Sequence, residues 1–196
     1  WNPWNVPRAL PGSHDLKLFE DTLLRWIETG ELIAPQFDKA LRNGLGNRSG
    51  WIKTVPKVLV LEGWFLGCKP IRGFDNQSIE KLDKPLTKVE INYRRKVQLE
   101  LEKYCSIWDH IDHTWHIKAE DHSFTSKWKT AQEKKMFQDR GSSLKGEALD
   151  SFLRMIEVAI PQSSLISIDS DVLVLIDQDR HILWSGRTKD WMQELL

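Results

Sequence analysis

The sequence predicts an α/β fold in which helices cover both faces of a parallel sheet, giving three layers. Two continuous apolar runs rich in β-branched residues lie at 57–63 and 171–177, and such runs are typical of strands buried on both faces. Segments with the apolar spacing of helices separate them. Strands that alternate with helices in this way indicate parallel pairing. We therefore interpret residues 1–196 as one domain.

The first third of the chain is predicted to hold one helix, then a loop or hairpin. Residues 1–12 contain three prolines and are interpreted as an extended loop. Ser13 is the predicted N-cap of a helix, and Gly30 ends it. Several glycines and prolines in 31–56 favour a loop or a hairpin. The first buried strand, 57–63, follows.

The rest of the chain alternates between helices and strands. A helix is predicted over about 86–111, and the mixed charges of its segment 88–103 are typical of a face open to solvent. The later predicted elements are a strand at 114–120, a helix at 123–141, a helix at 145–160, the strand at 171–177, a strand at 180–186 and a helix at 188–196.

Composition argues against several functional classes. The 28 Lys and Arg residues balance the 28 Asp and Glu residues, so bulk charge does not favour a nucleic-acid or membrane-surface partner. No apolar stretch approaches the roughly 18 residues that a membrane helix needs. No signal peptide is recognised, and Cys68 and Cys105 lie in no metal-binding spacing. We expect a cytoplasmic protein, and the oligomeric state stays open.

Glu62 ends the first buried run and is the first candidate for chemistry. In parallel sheets, ligands sit at the carboxyl ends of strands, which is where Glu62 is predicted to lie. A carboxylate there can hold Mg²⁺ through water or orient a nucleophile. The alternative is a structural acid that caps a helix or pairs with an arginine.

Four stretches of the chain form a distinctive series: "RALPGSHDLKL" (8–18), "APQFDKALRNGLGNR" (34–48), "VLVLEGWFLGCKP" (58–70) and "SKWKTAQEKKM" (126–136). In sequence and in order they resemble the D-glycerate 3-kinases of plants and cyanobacteria and their fungal relatives. The resemblance implies the P-loop kinase fold, a three-layer parallel sheet flanked by helices that this family shares with uridine kinase and phosphoribulokinase.

The family's phosphate loop, G-x-x-x-x-G-K-[ST], does not occur in the 196 residues. The glycine-rich stretch "NGLGNRSG" lacks the lysine-serine ending. Because the loop is absent, we expect the strand that carries it to be missing from this chain. The resemblance implies that this strand lies in the middle of the sheet. We therefore expect a natural protein that is longer at its N-terminus, and 196 residues that are inactive alone.

The resemblance also implies roles for residues near the acceptor substrate. Glu62 and Asp38 are the implied catalytic carboxylates. The implied substrate-binding residues are His14, Asp15, Lys39, Arg48 and Gly63. Glycerate is a carboxylate, so it needs cations, and an arginine suits bidentate binding. Helix capping is an alternative role for Asp15, and a simple turn is one for Gly63.

A second implied group lies on a lid helix above the phosphates. Its members are Lys127, Lys129 and Gln132, although a charged helix face open to water is the alternative. Two positions depart from the family pattern. Asn47 stands where an acid usually precedes Arg48, and Lys129 stands where an arginine usually follows the tryptophan, which removes a planar fork of donors.

The activity implied by the resemblance is phosphoryl transfer from ATP, with Mg²⁺, to D-glycerate, giving 3-phosphoglycerate in photorespiratory glycolate salvage. No direct metal ligand is implied, although Mg²⁺ can lie near Glu62. In a plant, the resemblance would place the protein in the chloroplast stroma. Two alternatives stay open: a non-catalytic binding or regulatory protein on a kinase scaffold, and a kinase with another hydroxy-acid or sugar acceptor.

Overall fold

The computed structural model of the chain describes residues 2–39, 41–42, 46–71, 82, 84–141, 143–166 and 168–194. The chain divides into two compact units. The smaller unit is Pro7–Leu66, and the larger unit combines Trp1–Val6 with Gly67–Leu196. The single domain over 1–196 stays a prediction.

The smaller unit holds one helix and one hairpin. Its elements are helix α1 (Leu16–Thr29), strand β1 (Leu32–Asp38) and strand β2 (Asn47–Thr54). The two strands pair antiparallel, with an irregularity after Gln36 that shifts the register. The sequence favoured either a loop or a hairpin for residues 31–56, and the structure shows a hairpin.

The start of α1 differs from the prediction by two residues. Asp15 is the N-cap, because its side chain accepts a hydrogen bond of 3.1 Å from the backbone N–H of Leu18. Ser13 instead donates its hydroxyl to the carbonyl of Leu10 at 2.6 Å. Gly30 ends the helix as predicted, in the left-handed conformation (φ 74°) that glycine adopts without strain.

The loop of the hairpin depends on a glycine at position 46. Gly46 has φ +81°, and a Cβ added there would overlap the ring of Phe37. We expect Gly46→Ala to lower the free energy of unfolding by about 2–4 kcal/mol, because a left-handed alanine and the displaced ring each cost energy. Urea unfolding measures the loss.

Gly30→Ala is the matched control for this change. Gly30 has nearly the same φ, but an added Cβ would meet only Val55, at the ordinary contact distance of 3.9 Å. We expect a loss of about 1 kcal/mol, from backbone strain alone. Equal losses of unfolding free energy in Gly46→Ala and Gly30→Ala would show that overlap with the Phe37 ring adds nothing to the backbone strain.

The prediction of a buried strand at 57–63 is wrong. This segment belongs to no strand, and Val58 and Val60 are 75% and 82% exposed. Burial on both faces requires neighbours on both sides of a strand. Among the described residues, no strand forms a ladder with this segment. Leu59 and Leu61 are half-buried, so one side alone is covered.

The larger unit contains six helices and three strands within the described residues. They are α2 (Lys88–Glu102), α3 (Cys105–Trp108), β3 (Trp115–Ala119), α4 (Phe124–Arg140), α5 (Glu147–Val158), α6 (Gln162–Ile166), β4 (Val172–Ile176), β5 (Ile182–Arg187) and α7 (Thr188–Glu194). The predicted helix at 86–111 is thus divided into α2 and α3. None of the described helices is both long and apolar enough to cross a bilayer.

The sheet of the larger unit is mixed, so the predicted parallel pairing is only partly correct. Strand β3 runs parallel to β4, and β4 runs antiparallel to β5. Three helices lie between β3 and β4, which is long enough for a parallel crossover. A tight turn joins β4 to β5, where Asp177 accepts the backbone N–H groups of Asp179 and His181 at 2.8 Å each. Such a short connection requires antiparallel strands.

Helix α2 has one exposed face, as predicted for 88–103, but its opposite face buries polar and charged residues that the sequence interpretation left in solvent. Glu90, Arg94 and Gln98 are all buried. Glu90 forms a capping box with Thr87 and accepts two hydrogen bonds from Arg154 of α5, at 2.8 and 3.0 Å. The charge of Glu90 therefore pairs across the core, whereas Lys88, Arg95, Lys96 and Glu102 of the same helix are exposed to water.

Candidate functional site

Glu62 and Gly63 lie in the smaller unit, at the end of the segment 57–63. Both are exposed, and a turn over 64–67 follows them. In the described part of the chain, no hydrogen bond or ion pair engages the Glu62 carboxylate. The carboxylate is therefore accessible to a ligand, although it does not end a ladder strand as predicted.

Two aromatic residues after Gly63 hold the segment 8–15. The indole N–H of Trp64 donates to the carbonyl of Ala9 at 2.8 Å. The buried ring of Phe65 lies 5.8 Å from the ring of His14, centre to centre. Ala9 has φ +77°, an unusual conformation for a residue with a side chain, and the Trp64 bond fixes its carbonyl.

His14 packs against Phe65 on one side and is otherwise exposed. Its side chain is exposed overall, yet partial loss of water at the ring lowers the pKa of the imidazole. The ring is therefore mostly neutral at pH 7, since its ordinary pKa is 6.5. A neutral imidazole both donates and accepts a hydrogen bond, as contact with a hydroxyl requires.

The structure brings Asp15 and Arg48 together, although 33 residues separate them. The Nη2 atom of Arg48 donates to Oδ2 of Asp15 at 2.6 Å. The Leu18 N–H and then the Arg48 guanidinium hold the pKa of Asp15 below its ordinary value. The carboxylate beside Arg48 is thus that of Asp15, at the start of α1. The side chain of Asn47, the residue before Arg48, accepts the backbone N–H of Arg48 at 3.0 Å.

Asp38 and Lys39 lie at the same end of the hairpin as Arg48. Asp38 is the last residue of β1 and faces Asn47 across the ladder. Both Asp38 and Lys39 are exposed. The hairpin therefore groups one carboxylate and two cations that the sequence proposed for the acceptor.

The three predicted lid residues lie on α4 of the larger unit, where their surroundings differ. Lys127 is exposed and donates to the Gln178 side chain at 3.0 Å. Lys129 is mostly buried: it pairs with Glu133 at 2.5 Å and lies 4.6 Å from the centre of the Phe152 ring. Gln132 is exposed and accepts from Lys129 at 3.3 Å.

One metal-type grouping occurs within the described residues, and it does not include Glu62. Asp177, Asp179 and His181 bring one potential ligand atom each within 4.8 Å of one another. This grouping is the turn between β4 and β5, in which Asp177 already accepts backbone hydrogen bonds. The exposed Glu62 carboxylate is a hard oxygen donor of the kind that Mg²⁺ prefers, and it fits contact through water.

The sequence did not predict two contacts of this site. Phe65 appeared only within the stretch "VLVLEGWFLGCKP" (58–70), with nothing to show that it packs against His14. The pairing of Asp15 with Arg48 joins a helix cap to a hairpin strand. No local spacing signals such a contact, because periodic patterns report only neighbours on one element.

Comparisons with known proteins agree on one group of relatives, although no family model matches the chain. The chain is 30% identical over 165 residues to "D-glycerate 3-kinase, chloroplastic" of Arabidopsis thaliana. It is 35% identical over 82 residues to "Probable ATP-dependent kinase TDA10" of Saccharomyces cerevisiae. These matches cover 78% and 37% of the chain but only 34% and 28% of the relatives, so the chain spans about a third of their length.

A solved structure supports the fold. The D-glycerate 3-kinase from Cryptococcus neoformans var. grubii superposes with a TM-score of 0.74 at 24% identity, over 95% of this chain and 71% of that one. The predicted α/β fold is thereby confirmed, with a mixed sheet in place of the parallel one. The chain is therefore a relative of the D-glycerate 3-kinases and aligns with part of their length.

Proposed function

We propose that the full-length protein is a kinase that transfers the γ-phosphoryl group of ATP to the 3-hydroxyl of D-glycerate, giving 3-phosphoglycerate. The observation that carries this proposal is the similarity to the plant D-glycerate 3-kinase, which extends over 78% of the chain. On the same grounds we propose a role in photorespiratory glycolate salvage.

The acceptor would bind to the smaller unit. Arg48 is 49% exposed and offers guanidinium donors to a carboxylate, and Lys39 adds a second cation at the same end of the hairpin. His14 can contact a glycerate hydroxyl as a neutral imidazole. Gly63 has no side chain, so the backbone beside Glu62 can come close to the acceptor.

Glu62 would orient the acceptor hydroxyl and accept its proton during transfer. Asp38 is the second proposed carboxylate, at the hairpin end. Mg²⁺ would neutralise the phosphate charges of bound ATP, and Glu62 would contact it through water. These roles require an accessible carboxylate, which the exposure of Glu62 provides.

On α4, Lys127 is the stronger candidate for a phosphate contact. Its side chain is exposed, and its partners are the neutral amide of Gln178 and the Phe124 ring, whose centre is 5.5 Å from Nζ. Lys129 would first have to leave the Glu133 carboxylate and the Phe152 ring. We propose that Lys129 and Gln132 mainly support the helix that carries Lys127.

A comparison of acceptors tests the proposal in the full-length protein. We expect kcat/KM for D-glycerate to exceed that for glycerol at least about tenfold, because glycerol lacks the carboxylate that a cation would bind. L-Glycerate, uridine and ribulose 5-phosphate serve as further acceptors. Preference for another of these acceptors would replace D-glycerate as the substrate, and no ATP-dependent transfer to any of them would overturn the proposed function.

A further inference from the structure

The two carboxylate oxygens of Asp15 have separate partners. Oδ1 accepts the backbone N–H of Leu18 at 3.1 Å and caps α1. Oδ2 accepts Nη2 of Arg48 at 2.6 Å. Because both oxygens are engaged and the group is negatively charged, it is poorly suited to binding another carboxylate directly.

Arg48 is held at both ends of its side chain. Its backbone faces Phe37 across the hairpin ladder, and its N–H donates to the Asn47 side chain at 3.0 Å. Its guanidinium is held by Asp15. A long side chain fixed in this way loses less conformational entropy when it binds a ligand.

The fixed guanidinium still has donors to offer. Asp15 engages Nη2, whereas a guanidinium carries five N–H groups. The Arg48 side chain is 49% exposed, so solvent reaches the remaining donors. An anionic ligand can therefore bind Arg48 without displacing Asp15.

We infer that Asp15 is a positioning residue that orients Arg48 toward the carboxylate of the acceptor. This inference rests on the proposed function, and it gives Asp15 a role other than the direct substrate contact implied by the resemblance. It also accounts for Asn47, since the acid that orients the arginine comes from α1 rather than from the preceding residue.

Four variants of the full-length protein test the inference: Asp15→Asn, Arg48→Ala, the double variant and Asp21→Asn. Asparagine caps helices as well as aspartate does, so Asp15→Asn removes the charge and leaves the start of α1 intact. Asp21→Asn is the matched control, because Asp21 forms an exposed ion pair with Lys17 on the same helix, at 2.9 Å.

We expect Asp15→Asn to raise KM for D-glycerate about threefold to fivefold, the upper range for losing an exposed ion pair, while KM for ATP changes less than about twofold. Arg48→Ala should raise KM for D-glycerate at least as much. If Asp15 acts through Arg48, adding Asp15→Asn to Arg48→Ala should change KM for D-glycerate no further. Asp21→Asn should match the wild type.

Two results would overturn the inference alone: an active Asp15→Asn variant with wild-type KM for D-glycerate, or effects of the two single changes that multiply in the double variant. A wild-type protein without D-glycerate kinase activity would instead overturn the proposed function. An NMR titration of Asp15 tests the ion pair independently, because Arg48→Ala should raise the pKa of that carboxyl.

Discussion

Replacing Arg154 with methionine is expected to lower the free energy of unfolding by about 3–5 kcal/mol, because it leaves a buried carboxylate without its cation. Glu90 is 5% exposed, and Arg154 donates to both of its oxygens. The same guanidinium also donates to Glu157 at 2.9 Å and to the carbonyls of Lys84 and Pro85. The change therefore removes the hydrogen bonds that connect α5 to α2 and to the residues just before α2.

Urea unfolding measures this loss, and Lys135→Met is the matched control. Lys135 pairs with Asp139 at 3.0 Å on the exposed side of α4. Exposed pairs contribute about 0–1 kcal/mol, so the control should remain near the wild type. A loss below about 1 kcal/mol for Arg154→Met would show that the Glu90 carboxylate does not depend on Arg154.

The pH dependence of stability tests the same pair. Burial alone would raise the pKa of Glu90, but hydrogen bonds from Arg154, Thr87 and Trp4 lower it from 4.5 to about 2. A carboxyl with a lowered folded-state pKa stabilises the protein above the unfolded pKa. This contribution is lost as pH falls from about 4.5 to about 2, and we expect the loss to be smaller in Arg154→Met.

Glu62→Gln in the full-length protein is expected to lower kcat for D-glycerate about 10²–10⁴-fold, the range for losing a general base. Glutamine keeps the size of the side chain but cannot accept the hydroxyl proton. The midpoint of thermal unfolding should not change, because Glu62 is exposed and has no partner in the described part of the chain.

Glu28→Gln serves as the control for Glu62→Gln. Glu28 is also an exposed acid of the smaller unit, on α1. Its kcat should equal that of the wild type. A Glu62→Gln variant with kcat within about twofold of the wild type would remove Glu62 from the mechanism.

The sequence predicted some helices closely and others not. The predicted helices at 123–141 and 145–160 lie within about two residues of α4 and α5, because the signals that begin and end a helix are local. The predicted helix at 86–111 is instead divided into α2 and α3, and α6 was not predicted. The strands at 114–120 and 171–177 were also found. The sequence did not predict that β5 runs antiparallel to β4, because this direction depends on the tight turn that Asp177 forms.

Long-range contacts were beyond such patterns. The buried charge of Glu90 depends on Arg154, 64 residues away, and the orientation of Arg48 depends on Asp15. The prediction of a buried strand at 57–63 was wrong for a related reason. An apolar composition indicates that a segment can be buried, but the neighbouring elements decide whether it is buried. The roles of the predicted site residues stay predictions.

The most direct test of the central claim is ³¹P NMR of the full-length protein with ATP, Mg²⁺ and D-glycerate. The proposed function predicts a 3-phosphoglycerate signal that grows in step with ADP and does not appear without the protein. Unchanged ATP, release of inorganic phosphate alone, or phosphorylation of a different hydroxyl of glycerate would contradict it.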